Sequence, residues 1–333
     1  MHKSPLRSRK TIPLRSAPTR TSLPSSELIS HTESWLLDGE IRQHSASVRA
    51  TRRLLLSKLD WYLRSQSHAH CGTSELRQFL AYATRGHTQE GGRWGNLHLT
   101  QPLSARTVKD YHGHLRTFFR WLVSEDLLDT SPMEPIPAPI SRADQIRPFT
   151  ETQVQALLAA ARKSDHPKRD EAIMLFLADT GVRASELCGL KLADVNMQER
   201  YAVVLGKGSK RRTVYFGLHT AKAITTHLRG TERTADAPLF RSERGGALTR
   251  WGLREIVERA GKVAAIETAR CSAHTFRHTM AVTFLRNGGQ VFALRELLGH
   301  TDLKMTNRYV SMAQADIATQ HRRFSTVDHM TGR

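Results

Sequence analysis

Six side chains in the second half of the chain are of the types that phosphodiester chemistry needs: Arg183, Lys207, His274, Arg277, His300 and Tyr309. When a phosphodiester is attacked, charge builds on its non-bridging oxygens, and cations and hydrogen-bond donors placed there stabilise the transition state. Arginine suits the task because its planar fork of donors meets two oxygens at once. A tyrosine offers a phenolic oxygen that can become a covalent phosphoester. A lysine whose pKa is lowered by surrounding cations can protonate a leaving oxygen. Singly, each has a plainer reading: Arg183 as a surface arginine, Tyr309 as a tyrosine at a core edge. Lys207 shares its hairpin with Lys210, Arg211 and Arg212, any of which can simply grip phosphate. His274 and His278 stand at i, i+4 like a zinc pair, but neither a Glu–His pair nor a third ligand accompanies them, so no metal is expected. The string His68-Ala69-His70-Cys71 reads as a polar loop rather than a ligand set.

The elements that must position these groups follow from periodicity and caps. Thr150 with Gln153 makes a capping-box start for a helix carrying Val154, Leu157 and Leu158. The run from Asp170 to Asp179 is apolar all round in its middle, which predicts a buried helix stopping at Gly181. TGVRASEL then puts Arg183 at the start of the next helix. Tyr201–Leu205 and Arg212–Phe216 read as strands joined by GKGSKR, with Lys207 near the turn. An amphipathic helix is expected over 252–265, and another over Ala273–Leu285 bearing His274, Arg277 and His278. A helix over Val291–Leu298 stops at Gly299, directly before His300. Thr301 and Asp302 can cap a helix carrying Tyr309, and Ala313–Phe324 is again helix-compatible.

The first half is organised differently. Residues 1–26 hold six Lys and Arg, four prolines and no acid, and a basic disordered tail is expected over 1–30. A helical bundle is expected over 31–130. One of its helices runs from Ser47 to Ser65, with Val48, Leu54, Leu55, Leu59 and Leu63 near one face. A second starts at Ser74, and a third runs from the N-cap Ser104 through Val108, Tyr111, Leu115, Phe118, Phe119 and Leu122. Between them, the glycine-rich 85–101 reads as a loop. The bundle is basic, with Trp61, Tyr62, Trp94 and Trp121 interleaved; DNA contact is expected from its charge, although Trp121 fits a core position as well. Five prolines in 131–148 predict an extended linker, and the second domain fills 149–333.

Fifty Lys and Arg against 31 acids give a formal charge of +19, which points to a polyanionic partner. No run of apolar residues is long enough to span a membrane and no apolar signal segment opens the chain, so no membrane role is expected. Three scattered cysteines, outside any CxxC pair, fit a reducing cytosol and exclude a disulfide scaffold.

Taken in order, TGVRASEL, GKGSKRR, HTFRH, LLGH and a Tyr nine residues after that His resemble the tyrosine recombinase (phage integrase, Xer-like) family. SARTVKDYHGHLRTFFRWLVSEDLL resembles the family's last core-binding helix, so the likeness covers about 35–325. It implies a mainly α fold with a small antiparallel β-sheet. In that fold a helical core-binding domain and an α/β catalytic domain form a C-shaped clamp on DNA, with a protomer-docking helix at the C-terminus. It also implies roles. Tyr309 attacks the scissile phosphate to form a 3′-phosphotyrosyl bond, while Arg183, Arg277 and His300 hold its oxygens. His274 manages the tyrosine proton, Lys207 protonates the leaving 5′-oxygen, and Glu186 orients the site. Neither ATP nor a metal nor any other cofactor is implied. The implied partners are double-stranded DNA with inverted-repeat core sites and three further copies in a tetramer (or a paralogue) on synapsed DNA, in a bacterial cytoplasm beside the nucleoid. The expected activity is site-specific recombination through a Holliday junction, integrating and excising a mobile element; dimer resolution of the Xer type is the alternative. A type IB topoisomerase and a catalytically idle DNA-binding protein are the remaining readings. A loop at 85–101 longer than the family's usual connection, and a tail too short for a separate arm-binding domain, favour a system acting on core sites alone.

Overall fold

The computed structural model describes residues 19–88, 91–141, 147–206 and 210–300, and beyond these only Thr306, Asn307, Tyr309, Val310, His321, Ser325, Val327 and Met330. Lys207, most of the expected tail, the caps expected at Thr301 and Asp302, and all but His321 of the expected helix at Ala313–Phe324 lie outside the described residues. The chain divides into two compact units, 1–144 and 145–333.

The first unit is built on four helices: α1 (Leu28–Ile41), α2 (Ala46–Ser65), α3 (Thr73–Ala83) and α4 (Ala105–Ser124). Ser45 and Ser104 cap α2 and α4, each accepting a hydrogen bond from the backbone N–H three residues on. Along α4, Val108, Tyr111, Leu115, Phe118, Phe119 and Leu122 fall on one face and are buried. On α2 the buried face is Leu55, Leu56, Leu59, Tyr62 and Leu63, whereas Leu54, expected with them, is 55% exposed. Three leucines in a row cannot all fit an inward stripe about 100° wide, and the outermost faces water. The residue that joins the face instead is Arg52, whose guanidinium lies 4.3 Å over the Trp35 ring.

Three stretches depart from expectation. Residues 19–30 are structured: strand β1 (Leu23–Pro24) pairs antiparallel with β2 (His70–Cys71), and Leu23 and Leu28 are buried. The apolar residues that follow the prolines find a core, and His70-Cys71 forms the pairing strand in place of a polar loop. The 85–101 loop is packed, with Trp94 against Trp61, Tyr82 and Phe79 at ring separations of 6.2, 5.1 and 5.3 Å. Tyr62 is buried, and Trp61, Trp94 and Trp121 pack partly buried on the same core, so these rings serve packing first. The first part of the linker is also folded. Met133 and Ile136 are buried, and the carbonyls of Pro132, Pro135 and Ile136 accept hydrogen bonds from Thr73, Arg77 and His112. Proline removes a donor but leaves its carbonyl, so the segment binds helix side chains without pairing as a strand.

The second unit centres on α6 (Pro167–Thr180), flanked by α5 (Glu151–Ala161). The expected capping box is present at Thr150 and Gln153. After α6 come the short α7 (Ala184–Cys188) and a three-stranded antiparallel sheet in the order β3 (Val195–Asn196), β4 (Tyr201–Leu205), β5 (Arg211–Tyr215). Then follow α8 (Leu218–Leu228), α9 (Arg250–Val263), α10 (Ala273–Arg286) and α11 (Val291–Leu298). Among the described residues no helix is long and apolar enough to cross a membrane. Phe176, fully buried on α6, meets Phe216 and Phe240 at 5.7 and 6.4 Å and joins the helices to the segments that follow the sheet and α8. Phe176→Ala should therefore destabilise the second unit by about 3–5 kcal/mol, read from the urea midpoint. A change under about 1 kcal/mol would place the packing centre elsewhere.

Candidate functional site

Two helices end in left-handed glycines, and the site forms between them. Gly181 (φ 60°) ends α6 and Gly299 (φ 62°) ends α11. Neither position tolerates a larger residue: a Cβ on Gly181 would sit 3.3 Å from the Met280 sulfur, and one on Gly299 2.9 Å from Arg212 Cδ. The chain after Gly181 enters α7 with Arg183 as N-cap, and the chain after Gly299 delivers His300.

α10 lies between these turns. Ten of its residues are buried, including Arg277 and His278, while His274 at its first turn is exposed. The Arg277 guanidinium donates to the carbonyls of Gly181 (2.7 Å) and Leu298 (2.6 Å), and to His300 Nε2 (3.1 Å). Because a guanidinium only donates, His300 Nε2 accepts; the ring proton is then on Nδ1, which faces Thr306 Oγ1 at 2.9 Å. His274 and His278 meet Nε2 to Nε2 at 3.0 Å. Tyr309 is 3% exposed in a cluster with Met280, Leu285, Leu294 and Leu298, its ring 5.1 Å from that of His278 and stacked 6.1 Å from that of His300.

Arg183, His274, Arg277, His300 and Tyr309 line one cleft of about 410 Å³. Five of the six residues singled out in the sequence thus come together, and Lys207 is outside the described residues. Glu186 lies behind the cleft wall. Its carboxylate accepts from the Arg183 backbone N–H (2.7 Å) and guanidinium (2.8 Å), and from Arg212 through both terminal nitrogens (2.6 and 2.9 Å). Sequence reasoning left Arg212 among the hairpin cations, and missed Thr306. For Arg212 a signal was present: strand alternation puts it on the same face as buried Val214.

The cleft is electropositive by construction. Burial, then the nearby Arg183 and Arg212, press the Arg277 pKa down to about 10, so it stays protonated at neutral pH. Among the described residues no group of three or more His, Cys, Asp or Glu is placed to hold a metal ion. The arrangement can hold an anion against Arg183 and Arg277, with a phenol and two imidazoles beside it.

Residues 147–316 match the family model described as the phage integrase family. The chain is 33% identical to tyrosine recombinase XerD of Pseudomonas aeruginosa over 264 residues, 75% of this chain and 88% of that protein. It is 32% identical to tyrosine recombinase XerC of Corynebacterium efficiens over 224 residues, 66% and 72% respectively. In fold it is similar to a lambda integrase dimer bound to a core site (TM-score 0.65, 17% identity, 83% of this chain and 96% of that one). It is also similar to the Tn1549 transposon integrase in complex with transposon right end DNA (0.64, 18%, 86% and 94%).

The Glu186 network has a measurable sign. Burial disfavours its charged form, but the hydrogen bonds from Arg212 and the Arg183 N–H and the attraction of Arg212 outweigh this and hold its pKa below 4.5. A depressed carboxyl contributes stability above its unfolded pKa and loses it as pH falls through the folded one. Glu186→Gln should melt below wild type at pH 7, with the gap closing below about pH 4 as the wild-type carboxylate protonates. An unchanged gap across that range would show that the charge of Glu186 carries no stability.

Proposed function

This chain belongs to the phage integrase family, and on that premise we propose that it cuts and rejoins DNA at specific sites through a 3′-phosphotyrosyl intermediate, by the residues of the cleft described above. The observation that carries the reading is the convergence of Arg183, His274, Arg277, His300 and Tyr309, drawn from separate stretches of chain, on one cation-rich cleft. The charge of +19 supports a DNA substrate, since neutralising phosphates releases counterions.

In the proposed step the Tyr309 oxygen attacks the scissile phosphorus and passes its proton to His274. The bond from phosphorus to the 5′-oxygen breaks, and Lys207, on the hairpin, protonates that oxygen as it leaves. Arg183 and Arg277 hold the non-bridging oxygens, whose charge rises as the five-coordinate transition state forms. His300 presents Nε2 toward Arg277 in the free protein; with its ring proton on that nitrogen it donates a further hydrogen bond to the same oxygens. One phosphoester replaces another of similar energy, so the exchange needs no ATP. Attack by the 5′-hydroxyl of a partner strand reverses the step and makes the crossover, which four copies on two synapsed duplexes carry through a Holliday junction. The DNA is bound at inverted-repeat core sites, in a bacterial cytoplasm beside the nucleoid, and the segment from Ala313 to Phe324 docks on a neighbouring protomer.

Within this chemistry we assign the exchange to insertion and excision of a mobile element. A second reading, resolution of chromosome or plasmid dimers, is favoured by the names of the XerC and XerD relatives. Attachment-like repeats or cargo genes flanking the gene mark the first, and their absence marks the second.

Two measurements test the chemistry. On a nicked half-site that traps the covalent product, Tyr309→Phe should form no protein–DNA adduct while binding the duplex within about threefold of wild type. An adduct that survives this substitution overturns the assignment of the nucleophile. Lys207→Ala should slow cleavage by about 10²–10⁴-fold if it is the general acid. A substrate with sulfur in place of the bridging 5′-oxygen needs no proton to leave, so it should restore cleavage to Lys207→Ala and not to Tyr309→Phe. Rescue of Lys210→Ala instead would identify the other lysine as the acid.

A further inference from the structure

Among the described residues, Arg212 commits every side-chain nitrogen behind the cleft wall, to a carbonyl and a carboxylate. Its side chain is 12% exposed, and each of its three nitrogens is committed. Nε donates to the Leu297 carbonyl at 2.9 Å, and the two terminal nitrogens straddle the Glu186 carboxylate at 2.6 and 2.9 Å. Two parallel charge-assisted bonds fix the angle between partners as well as their distance. Glu186 in turn holds Arg183 by both its backbone N–H and its guanidinium. At its other end Arg212 grips the last turn of α11, and its stem lies where a Cβ on Gly299 would fall, one residue before His300. Arg212 is also the second residue of β5, where it pairs with Val204 of β4, and Lys207 falls in the sequence between those two strands. Three separately folded pieces of the site therefore meet at one guanidinium.

We propose that Arg212 is a positioning residue for strand cleavage: by clamping the Glu186 carboxylate and the end of α11 together, it sets Arg183, β5 and His300 in register without touching the scissile phosphate. The proposal rests on the reading of this cleft as a phosphodiester-cleaving site. A lysine cannot take the place of Arg212, because a single ammonium on a flexible stem does not span a carboxylate and a carbonyl in fixed geometry. Among the described residues, the charged groups facing Glu186 are Arg183 from the start of α7, Arg212 from β5 and, more weakly, Arg277 from α10. Without Arg212 the buried carboxylate loses two of its four hydrogen bonds and a neighbouring charge, so it takes up a proton at higher pH. A protonated Glu186 holds Arg183 less well. Cleavage that needs ionised Glu186 is then present above the raised pKa and lost as pH falls through it.

The test is single-turnover cleavage by the full chain on the nicked half-site, at saturating protein, followed from about pH 5.5 to 9, with half-site binding measured separately. Arg212→Gln loses both the fork and the charge, so it should cleave about tenfold slower than wild type at high pH, with the deficit widening as pH falls through the raised Glu186 pKa, below which the ionised form drops about tenfold per pH unit. Its half-site Kd should stay within about threefold of wild type, since Arg212 meets no phosphate. Adding Glu186→Gln should flatten the profile. Arg212→Lys keeps the charge and loses the fork, so its profile should parallel wild type at a rate lower by about tenfold. A loss with Arg212→Gln that is the same at every pH, a loss confined to Kd, or a wild-type rate for Arg212→Lys each overturns the proposal; the lysine variant keeps the test alive if the glutamine variant does not fold. Failure of the underlying reading looks different: wild type itself would form no adduct, or Tyr309→Phe would still form one.

Discussion

A guanidinium that is only 3% exposed must be given acceptors by the fold, and Arg277 receives them from the ends of two helices. The carbonyls of Gly181 and Leu298 belong to the C-terminal turns of α6 and α11, where unpaired carbonyls and the helix dipole concentrate negative charge. This solves a conflict. A carboxylate would hold Arg277 more tightly but would neutralise it, whereas carbonyls satisfy its donors and leave the full positive charge for an incoming anion. The two left-handed glycines follow from that constraint, because each helix must stop abruptly with its last carbonyls aimed inward and send the chain off toward Arg183 on one side and His300 on the other.

Around that cation the charges are deliberately unequal. Arg183, Arg212 and Arg277 share a single buried carboxylate, Glu186, which pairs directly with the first two. The remaining excess shows in the depressed pKa of Arg277, whose causes after burial are the other two arginines. An anion placed among these cations relieves their mutual repulsion, which is what the proposed chemistry requires of the cleft. The cost of assembling it is carried by the apolar packing of the second unit, in which α6 and α10 are buried on nearly every side.

The first unit solves a simpler problem. Its four helices bury one aromatic-rich core, and several of its basic side chains lie along that core's rim: Arg52 over Trp35, and Lys58 against the Tyr111 hydroxyl at 2.9 Å. Both side chains pack against aromatic rings of this core, Arg52 buried and Lys58 half-buried. The aromatic residues are turned to this packing rather than presented outward.

What the sequence determined by itself was everything with a short-range cause. Caps at Ser104 and Thr150, stops at Gly181 and Gly299, the alternation of β4 and β5 and the periodic face of α4 all follow from local sterics and burial, and each is found where the residues put it. The order and spacing of Arg183, His274, Arg277, His300 and Tyr309, with the motifs around them, were enough to place the chain in its family. Only the tertiary structure decided which groups meet across distance. That Arg277 is held by the ends of α6 and α11, that Thr306 fixes the His300 ring, and that Arg212 rather than its hairpin neighbours reaches Glu186, depends on how separate elements pack. The same holds for residues 23–28 and 131–136, whose prolines argue for open chain while their few apolar side chains are captured by a core formed elsewhere. Local sequence sets which conformations a segment can adopt; a buried partner far along the chain selects among them, because an unpaired buried charge or an exposed leucine costs more than the local preference it overrides.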